Sequence, residues 1–269
     1  MSDLFGRVLV AALLAPVALG CVWLGGVAML LLALVACALA LDEFFRMARG
    51  LRPIPLTGFA AGLAMVLATW GGGVGWSLAV LAASIPVTFL VVAGVAPRES
   101  ALGSVAVTTF GALYIGGGMA SLVALRGLHS STVDHFGWNL VLAVLLGTWA
   151  SDIFAYFGGR LLGRHRLAPA ISPNKTVEGF VIGLAAGIFT TWVTLYRQGF
   201  TNQEALLVGA GVALAAPLGD LFESFLKRDL GVKDSGTLLA GHGGVLDRID
   251  ALLFAGPAAL AIVALLGKA

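Results

Sequence analysis

The chain reads as an all-α, polytopic integral membrane protein with about nine transmembrane helices and a cytoplasmic N-terminus. Three observations predict this. Of its 269 residues 59% are hydrophobic and only 11% charged, with a mean hydropathy of +0.99, whereas soluble domains carry about a quarter charged residues. The apolar residues fall into nine runs, near 8–24, 27–41, 55–70, 76–95, 101–123, 137–157, 177–196, 204–226 and 247–267. Finally, the lysines and arginines are shared unequally between the two sets of connecting loops.

Each run is read as a helix because lipid offers no partners to backbone N–H and C=O groups, and because its apolar residues are continuous instead of alternating as in a barrel strand. Several runs are short for a span or carry polar residues, which predicts tilted or broken helices. With the N-terminus in the cytoplasm, 13 Lys and Arg fall on that side, and only Arg126, Arg197 and Lys268 fall opposite. That is the positive-inside pattern for nine spans, and one helix more or fewer would scramble it.

In the first run Ala18-Leu19-Gly20-Cys21 faintly resembles a lipoprotein cleavage site. The run is long and eight more follow, so it is expected to be retained. Cys21 and Cys37 lie within the first two spans, too few and too deep for a disulfide framework or a zinc site, and read as packing residues. Gly58/Gly62 and Gly183/Gly187 stand at the spacing that lets helices pack closely in lipid. The run Gly71-Gly72-Gly73-Val74-Gly75, with no charge beside it, reads as an outer turn. No polar segment exceeds about twenty residues, too short for a soluble core. Residues 1–269 are therefore expected to form a single membrane domain, with scaffold or lipid-facing helices in 1–136 and the catalytic helices and cytoplasmic loops in 137–269.

The reason for that division is where the charge lies. Residues 1–136 carry no acid or base near the middle of a span, while runs six, eight and nine carry Asp152, Asp220, Glu223, Asp247 and Asp250 near their inner ends. The stretch Pro217–Asp250 holds six of the fourteen acids and four of the sixteen bases. On a helix Asp220, Glu223, Ser224 and Lys227 share one face, with Leu221, Phe222, Phe225 and Leu226 on the other. Acids beside hydrocarbon are costly unless paired or bound to cations, so they mark a functional site by default.

Asp220/Glu223 and Asp247/Asp250 are both three apart, and two such pairs of hard oxygen ligands suit Mg²⁺, which needs only one or two carboxylates and fills its shell with water and phosphate oxygens. Ion pairing with Lys227, Arg228 and Arg248 is the competing reading. The loop between the last two runs contains Gly241-His242-Gly243-Gly244, whose N–H groups could approach a phosphate at a helix N-terminus or could simply be a flexible connector. In and after run six come Asp152, Tyr156, Gly158-Gly159, Arg160, Gly163-Arg164, then Ser172-Pro173-Asn174-Lys175-Thr176-Val177-Glu178-Gly179. Ser172 before Pro173 predicts a helix N-cap that would present Lys175 to a phosphate. Arg160, Arg164 and Arg166 read as positive-inside anchors. Walker, Ser-His-Asp and HExxH patterns are absent. Carboxylates for a divalent cation and bases for phosphates suffice for phosphoryl-type transfer, which rests on positioning and charge neutralisation.

The 27 residues from Ser224 to Asp250, through Lys227-Arg228, Lys233-Asp234-Ser235-Gly236, Gly241-His242-Gly243-Gly244 and Asp247-Arg248, resemble the signature of phosphatidate cytidylyltransferases, the CDP-diacylglycerol synthases. Asp152, Tyr156, Gly159 and Ser172-Pro173-Asn174-Lys175-Thr176-Val177-Glu178-Gly179 are similar to the same family, and Ala240 stands where that family usually has proline. The resemblance implies the reaction of CTP with phosphatidate to give CDP-diacylglycerol and pyrophosphate. It also implies Mg²⁺ with a second cation such as K⁺, a homodimer, no nucleic acid, and a multi-pass protein of a bacterial inner membrane with its active site facing the cytoplasm. Carried over residue by residue, Asp220 and Asp247 hold the metal with Glu223 and Asp250 in support. Lys227 and Lys175 join the two aspartates as catalytic groups, and Asp152, Ser224, Arg228, Lys233, His242, Gly243, Gly244 and Arg248 line the substrates. A CTP-dependent polyprenol kinase would use similar motifs, and a cation-coupled transporter would also bury acids, though the outer ends here carry almost no charge.

Overall fold

The computed structural model describes residues 15–95, 101–236 and 243–268. Eight helices among them are long and apolar enough to cross a membrane, and they coincide with runs two to nine of the sequence. The first run is described only from Ala15, as α1 (Ala15–Leu24). There follow α2 (Gly26–Met47), α3 (Pro55–Gly72), α4 (Val74–Val95) and a span made of α5 (Ala101–Gly111), a π-helical segment (Ala112–Gly117) and α6 (Gly118–Gly127). After these come α7 (Phe136–Leu162), α8 (Val177–Leu195), α9 (Asn202–Asp229) and α10 (Leu246–Leu265). Large apolar side chains stand exposed along the spans, Leu56, Leu102 and Leu161 among them at 78%, 84% and 78%. Exposure on that scale suits hydrocarbon surroundings and not water. Pro86, Pro217 and Pro257 lie inside α4, α9 and α10, which run on through them, each removing one backbone donor; the span of α5 and α6 is interrupted by its π-helical segment.

One local expectation is corrected. Ser172 is not a helix cap, because Ser172–Thr176 is a strand, β2, paired antiparallel with β1 (Arg166–Ala168). Pro173 biases Ser172 towards extended backbone, and pairing of Arg166 with Thr176 keeps the segment extended up to the helix. Thr176 is the cap, its Oγ1 accepting the Gly179 N–H at 3.1 Å. Glu178 closes the base of the hairpin, its Oε2 accepting the N–H groups of Arg164 and His165 at 3.0 and 3.2 Å.

The chain divides into two compact units, each containing residues from both halves of the sequence: one comprises Met1–Ala124 and Leu230–Arg248, the other Leu125–Asp229 and Ile249–Ala269. In the first, α3 packs against α2, α4, α5 and the π segment. Its glycines permit this. A Cβ at Gly62 would lie 2.7 Å from Leu41 Cδ1 of α2, and one at Gly116 in the π segment would lie 2.7 Å from the Gly62 Cα. An aromatic cluster of Phe44, Phe45, Phe59, Phe110 and Tyr114 fills the space beside them. Gly73 alone separates α3 from α4, with φ of +86° and its N–H bonded to Thr69 O, while Gly71, Gly72 and Gly75 of the same run lie inside the helices.

In the second unit α7 and α8 run against each other with small residues in register. A Cβ at Gly183 would meet Ser151 O at 2.5 Å and Ala155 Cβ at 2.8 Å, one at Gly179 would meet Ala155 O at 2.5 Å, and one at Gly187 would meet Gly147 O at 3.1 Å. The pairs Gly147/Gly187, Ser151/Gly183 and Ala155/Gly179 advance by four on one helix as they recede by four on the other, so the helices are antiparallel and meet along their i±4 ridges. At the end of this seam Thr176 packs on Gly159 and Gly163, which sets β2, and with it Lys175, over the end of α7.

Gly183→Val should therefore overpack the seam at a cost of about 1–3 kcal/mol, read as a fall of several degrees in the unfolding midpoint of the detergent-solubilised protein. Gly94→Ala, where no atom lies within 4 Å of the added carbon, should leave the midpoint unchanged.

Candidate active site

Four acids and two lysines gather in the second unit. Lys175 reaches from β2 to α9, its Nζ 2.6 Å from Asp220 Oδ2. Asp220 also accepts a hydrogen bond from Ser224 Oγ, one turn on, at 3.4 Å. The same face carries Glu223, 1% exposed, whose Oε2 accepts from Lys227 Nζ at 3.0 Å. The grouping of Asp220, Glu223, Ser224 and Lys227 expected from helical periodicity is thus realised within α9. Asp152 on α7 interacts electrostatically with Asp220 and Lys175, and Asp250 on α10 with Asp220 and Asp152. Asp250 is 8% exposed and accepts the Ala251 N–H at 2.7 Å. Helices α9 and α10 approach through Gly219, where a Cβ would stand 2.5 Å from Asp250 O and 3.1 Å from Ala251 Cα. The missing side chain at 219 is what lets the neighbouring Asp220 sit beside Asp250.

A separate set of carboxylates organises the signature loop in the first unit. Asp247, in the first turn of α10, accepts the Gly244 N–H at 2.7 Å and the Ser235 N–H at 3.2 Å on Oδ2. Gly243 has φ of +79° and would place a Cβ 2.6 Å from that same oxygen, so glycine is required there on both counts. Glu43, near the end of α2, is 5% exposed and accepts from Val245 N at 2.9 Å, Leu246 N at 2.8 Å and Ser235 Oγ at 3.1 Å. Of the Gly241–Gly244 run that sequence alone would offer to a phosphate, the Gly244 N–H faces the Asp247 carboxylate here, and Gly241 lies outside the described residues.

Glu43 is the residue that sequence reasoning misses. A signal for it is present, since an acid at the end of an apolar span is costly unless partnered, but its neighbour Asp42 pairs with Arg46 at 2.7 Å in the ordinary i,i+4 manner and the two look alike in sequence. Arg228, Lys233 and Arg248 have exposed side chains, and His242 lies outside the described residues. Among the described residues no three His, Cys, Asp or Glu side chains converge as a metal-binding group. The donor set of the second unit nonetheless fits a divalent cation. Its four carboxylates outnumber its two ammonium groups, and Mg²⁺ needs only one or two carboxylates beside water and phosphate oxygens.

The chain matches the cytidylyltransferase family over residues 5–266. It belongs to that family. A phosphatidate cytidylyltransferase of Staphylococcus haemolyticus (strain JCSC1435) is 33% identical over 259 residues, 93% of this chain and 95% of that protein. One of Helicobacter pylori (strain J99) is 42% identical over 169 residues, 62% of this chain and 60% of its own length. One of Staphylococcus aureus (strain COL) is 44% identical over 123 residues, 45% and 47% of the two chains. The cytidylyltransferase is thus a nucleotidyltransferase built as a helical membrane protein, and the acids of its spans are candidates for nucleotide chemistry ahead of ion transport.

For this cytidylyltransferase Gly219→Ala should push α9 from α10 and displace Asp220 from Asp250, lowering turnover about tenfold or more. Leu218→Ala, on an exposed side chain of the same turn, should leave turnover within about twofold. Steady-state rates of the two variants in detergent check this.

Proposed function

We propose that the cytidylyltransferase joins CTP and phosphatidate to form CDP-diacylglycerol and pyrophosphate. The observation that carries the reading is Lys175 drawn onto Asp220 beside the buried acids Glu223 and Asp250, in a chain similar over nearly its whole length to a protein named for that activity. A cation-binding carboxylate and a phosphate-binding ammonium are then neighbours before any substrate arrives.

The chemistry asks little more of the protein. A phosphatidate phosphate is already ionised at neutral pH, so its oxygen needs no strong base to attack the α-phosphorus of CTP. One P–O bond forms to the lipid phosphate, the bond from the α-phosphorus to the bridging oxygen breaks, and pyrophosphate leaves. Lys175 and Lys227 stabilise charge on the phosphates, Asp152 orients Lys175, and Ser224 holds the Asp220 carboxylate in place. Arg228, Lys233, Arg248 and His242 supply further positive or donor groups towards the triphosphate and the lipid headgroup. Mg²⁺ held by Asp220 and Asp247, with Glu223 and Asp250 in support, would neutralise the charge that develops on the leaving pyrophosphate. The enzyme works as a homodimer in a bacterial inner membrane with these residues facing the cytoplasm, the side where CTP is found.

Label placement tests the reaction itself. With purified protein, phosphatidate and Mg²⁺, label at the α-phosphorus of CTP should enter the chloroform-soluble lipid and label at the γ-phosphorus should leave as pyrophosphate. The reverse would identify a lipid kinase. Asp220→Asn should lower the rate by about two to three orders of magnitude, since metal-assisted charge stabilisation is worth several kcal/mol; a near-normal rate would remove Asp220 from the site.

Orientation is read independently. In a background lacking Cys21 and Cys37, a cysteine at exposed Asp229 should react with impermeant thiol reagents only from the cytoplasmic side, and one at exposed Ser131 only from the other.

A further inference from the structure

Two carboxylates, Glu43 and Asp247, satisfy five donors of the signature loop: the N–H groups of Ser235, Gly244, Val245 and Leu246 and the hydroxyl of Ser235. Their shares differ in kind. Asp247 belongs to the segment it holds, whereas Glu43 comes from α2, 203 residues before Leu246. Its two oxygens are divided, Oε1 on Val245 N and Oε2 on both Leu246 N and Ser235 Oγ. Val245 N and Leu246 N are donors that the start of a helix leaves without intrahelical partners, and a negative charge there is favoured by the helix dipole. The close fit extends to two glycines of the signature. A Cβ at Gly236 would lie 2.7 Å from Glu43 Oε1, and one at Gly244 would strike Ser235 Oγ and Glu43 Oε2. Both glycines are therefore shaped around Glu43.

We propose that Glu43 is a positioning residue for cytidylyl transfer, fixing the first turn of α10 and the Ser235–Gly236 segment so that the Asp247 carboxylate is held in one orientation. This rests on the reading of Asp247 as a metal ligand. The carboxylate is needed, and not merely a polar group of similar shape: all three partners of Glu43 are donors, so an amide would set its own NH₂ against at least one of them. Because Ser235 and Leu246 are buried, an acceptor lost to them is not replaced by water. The hydrogen-bond partners of Glu43 are all groups of the signature loop, so in this role it acts through Asp247.

Glu43→Gln is compared with wild type, Asp42→Asn and Asp247→Asn, all as the full chain in detergent. In the metal-free protein, amide hydrogen exchange in peptides covering 243–248 should be at least about tenfold faster in Glu43→Gln, with peptides of α7 and α8 unchanged. In turnover assays with CTP and phosphatidate the same variant should need about tenfold more Mg²⁺ for half-maximal rate, while its KM for CTP at saturating Mg²⁺ stays within about twofold. Asp42→Asn should match wild type in both assays. If Glu43→Gln does not fold, Ser235→Ala, which removes the one side-chain donor, is read in the same two assays with smaller shifts of about threefold. Unchanged Mg²⁺ dependence alongside an inactive Asp247→Asn would overturn the positioning role alone. Wild-type turnover by Asp247→Asn would overturn the metal-ligand reading and the positioning role with it.

Discussion

A carboxylate beside hydrocarbon is costly unless a cation or several N–H donors meet it, and the arrangement of both units follows from how that requirement is satisfied. In the second unit the partners are side chains. Lys175 meets Asp220 across elements and Lys227 meets Glu223 along α9, yet the acids still outnumber the lysines. In the first unit the partners are backbone groups, and Glu43 and Asp247 are held by the N–H groups around the start of α10. An excess of acids over lysines suits a site that must receive a cation with its nucleotide, while the N–H groups on Glu43 and Asp247 fix where the loop and its carboxylate lie.

The arrangement of the second unit depends on side chains that are missing. Gly219 lets α9 and α10 approach at the level of Asp220, and the ladder of Gly147, Ser151, Ala155, Gly179, Gly183 and Gly187 brings α7 against α8, with Thr176 seated on Gly159 and Gly163. In lipid there is no hydrophobic gain from bringing two apolar helices together, so close backbone packing has to do it. The abundance of glycine is therefore part of how the charged groups are placed. The β-hairpin between α7 and α8 completes the effect by ending on Thr176, one residue after Lys175.

Much of this architecture is legible in the order of the residues. Hydropathy marks spans two to nine, because an apolar run long enough to cross lipid has no other stable form, although α2 and α7 run on to Met47 and Leu162, past the ends of their apolar runs. Helical periodicity places Asp220, Glu223, Ser224 and Lys227 on one face, and spacing picks out the glycine pairs Gly58/Gly62 and Gly183/Gly187. The signature from Ser224 to Asp250 points to the cytidylyltransferases. Each of these is a property of residues near one another in the chain.

The tertiary structure decided what depends on residues far apart. Ser172-Pro173 has the local form of a helix start, and only pairing with Arg166–Ala168 makes it a strand. Gly243 and Gly244 have the local form of a phosphate loop, and only the placement of Asp247 and Glu43 shows which anions their neighbourhood holds. Asp42 and Glu43 are adjacent and chemically alike, yet one makes a solvent-side pair with Arg46 and the other is buried against the signature loop. Sequence by itself determined the membrane fold, spans two to nine and the family, because those follow from local hydropathy and motif. Which donor each carboxylate would meet was left to packing, because a hydrogen bond is set by where two groups lie in space and not by their separation along the chain.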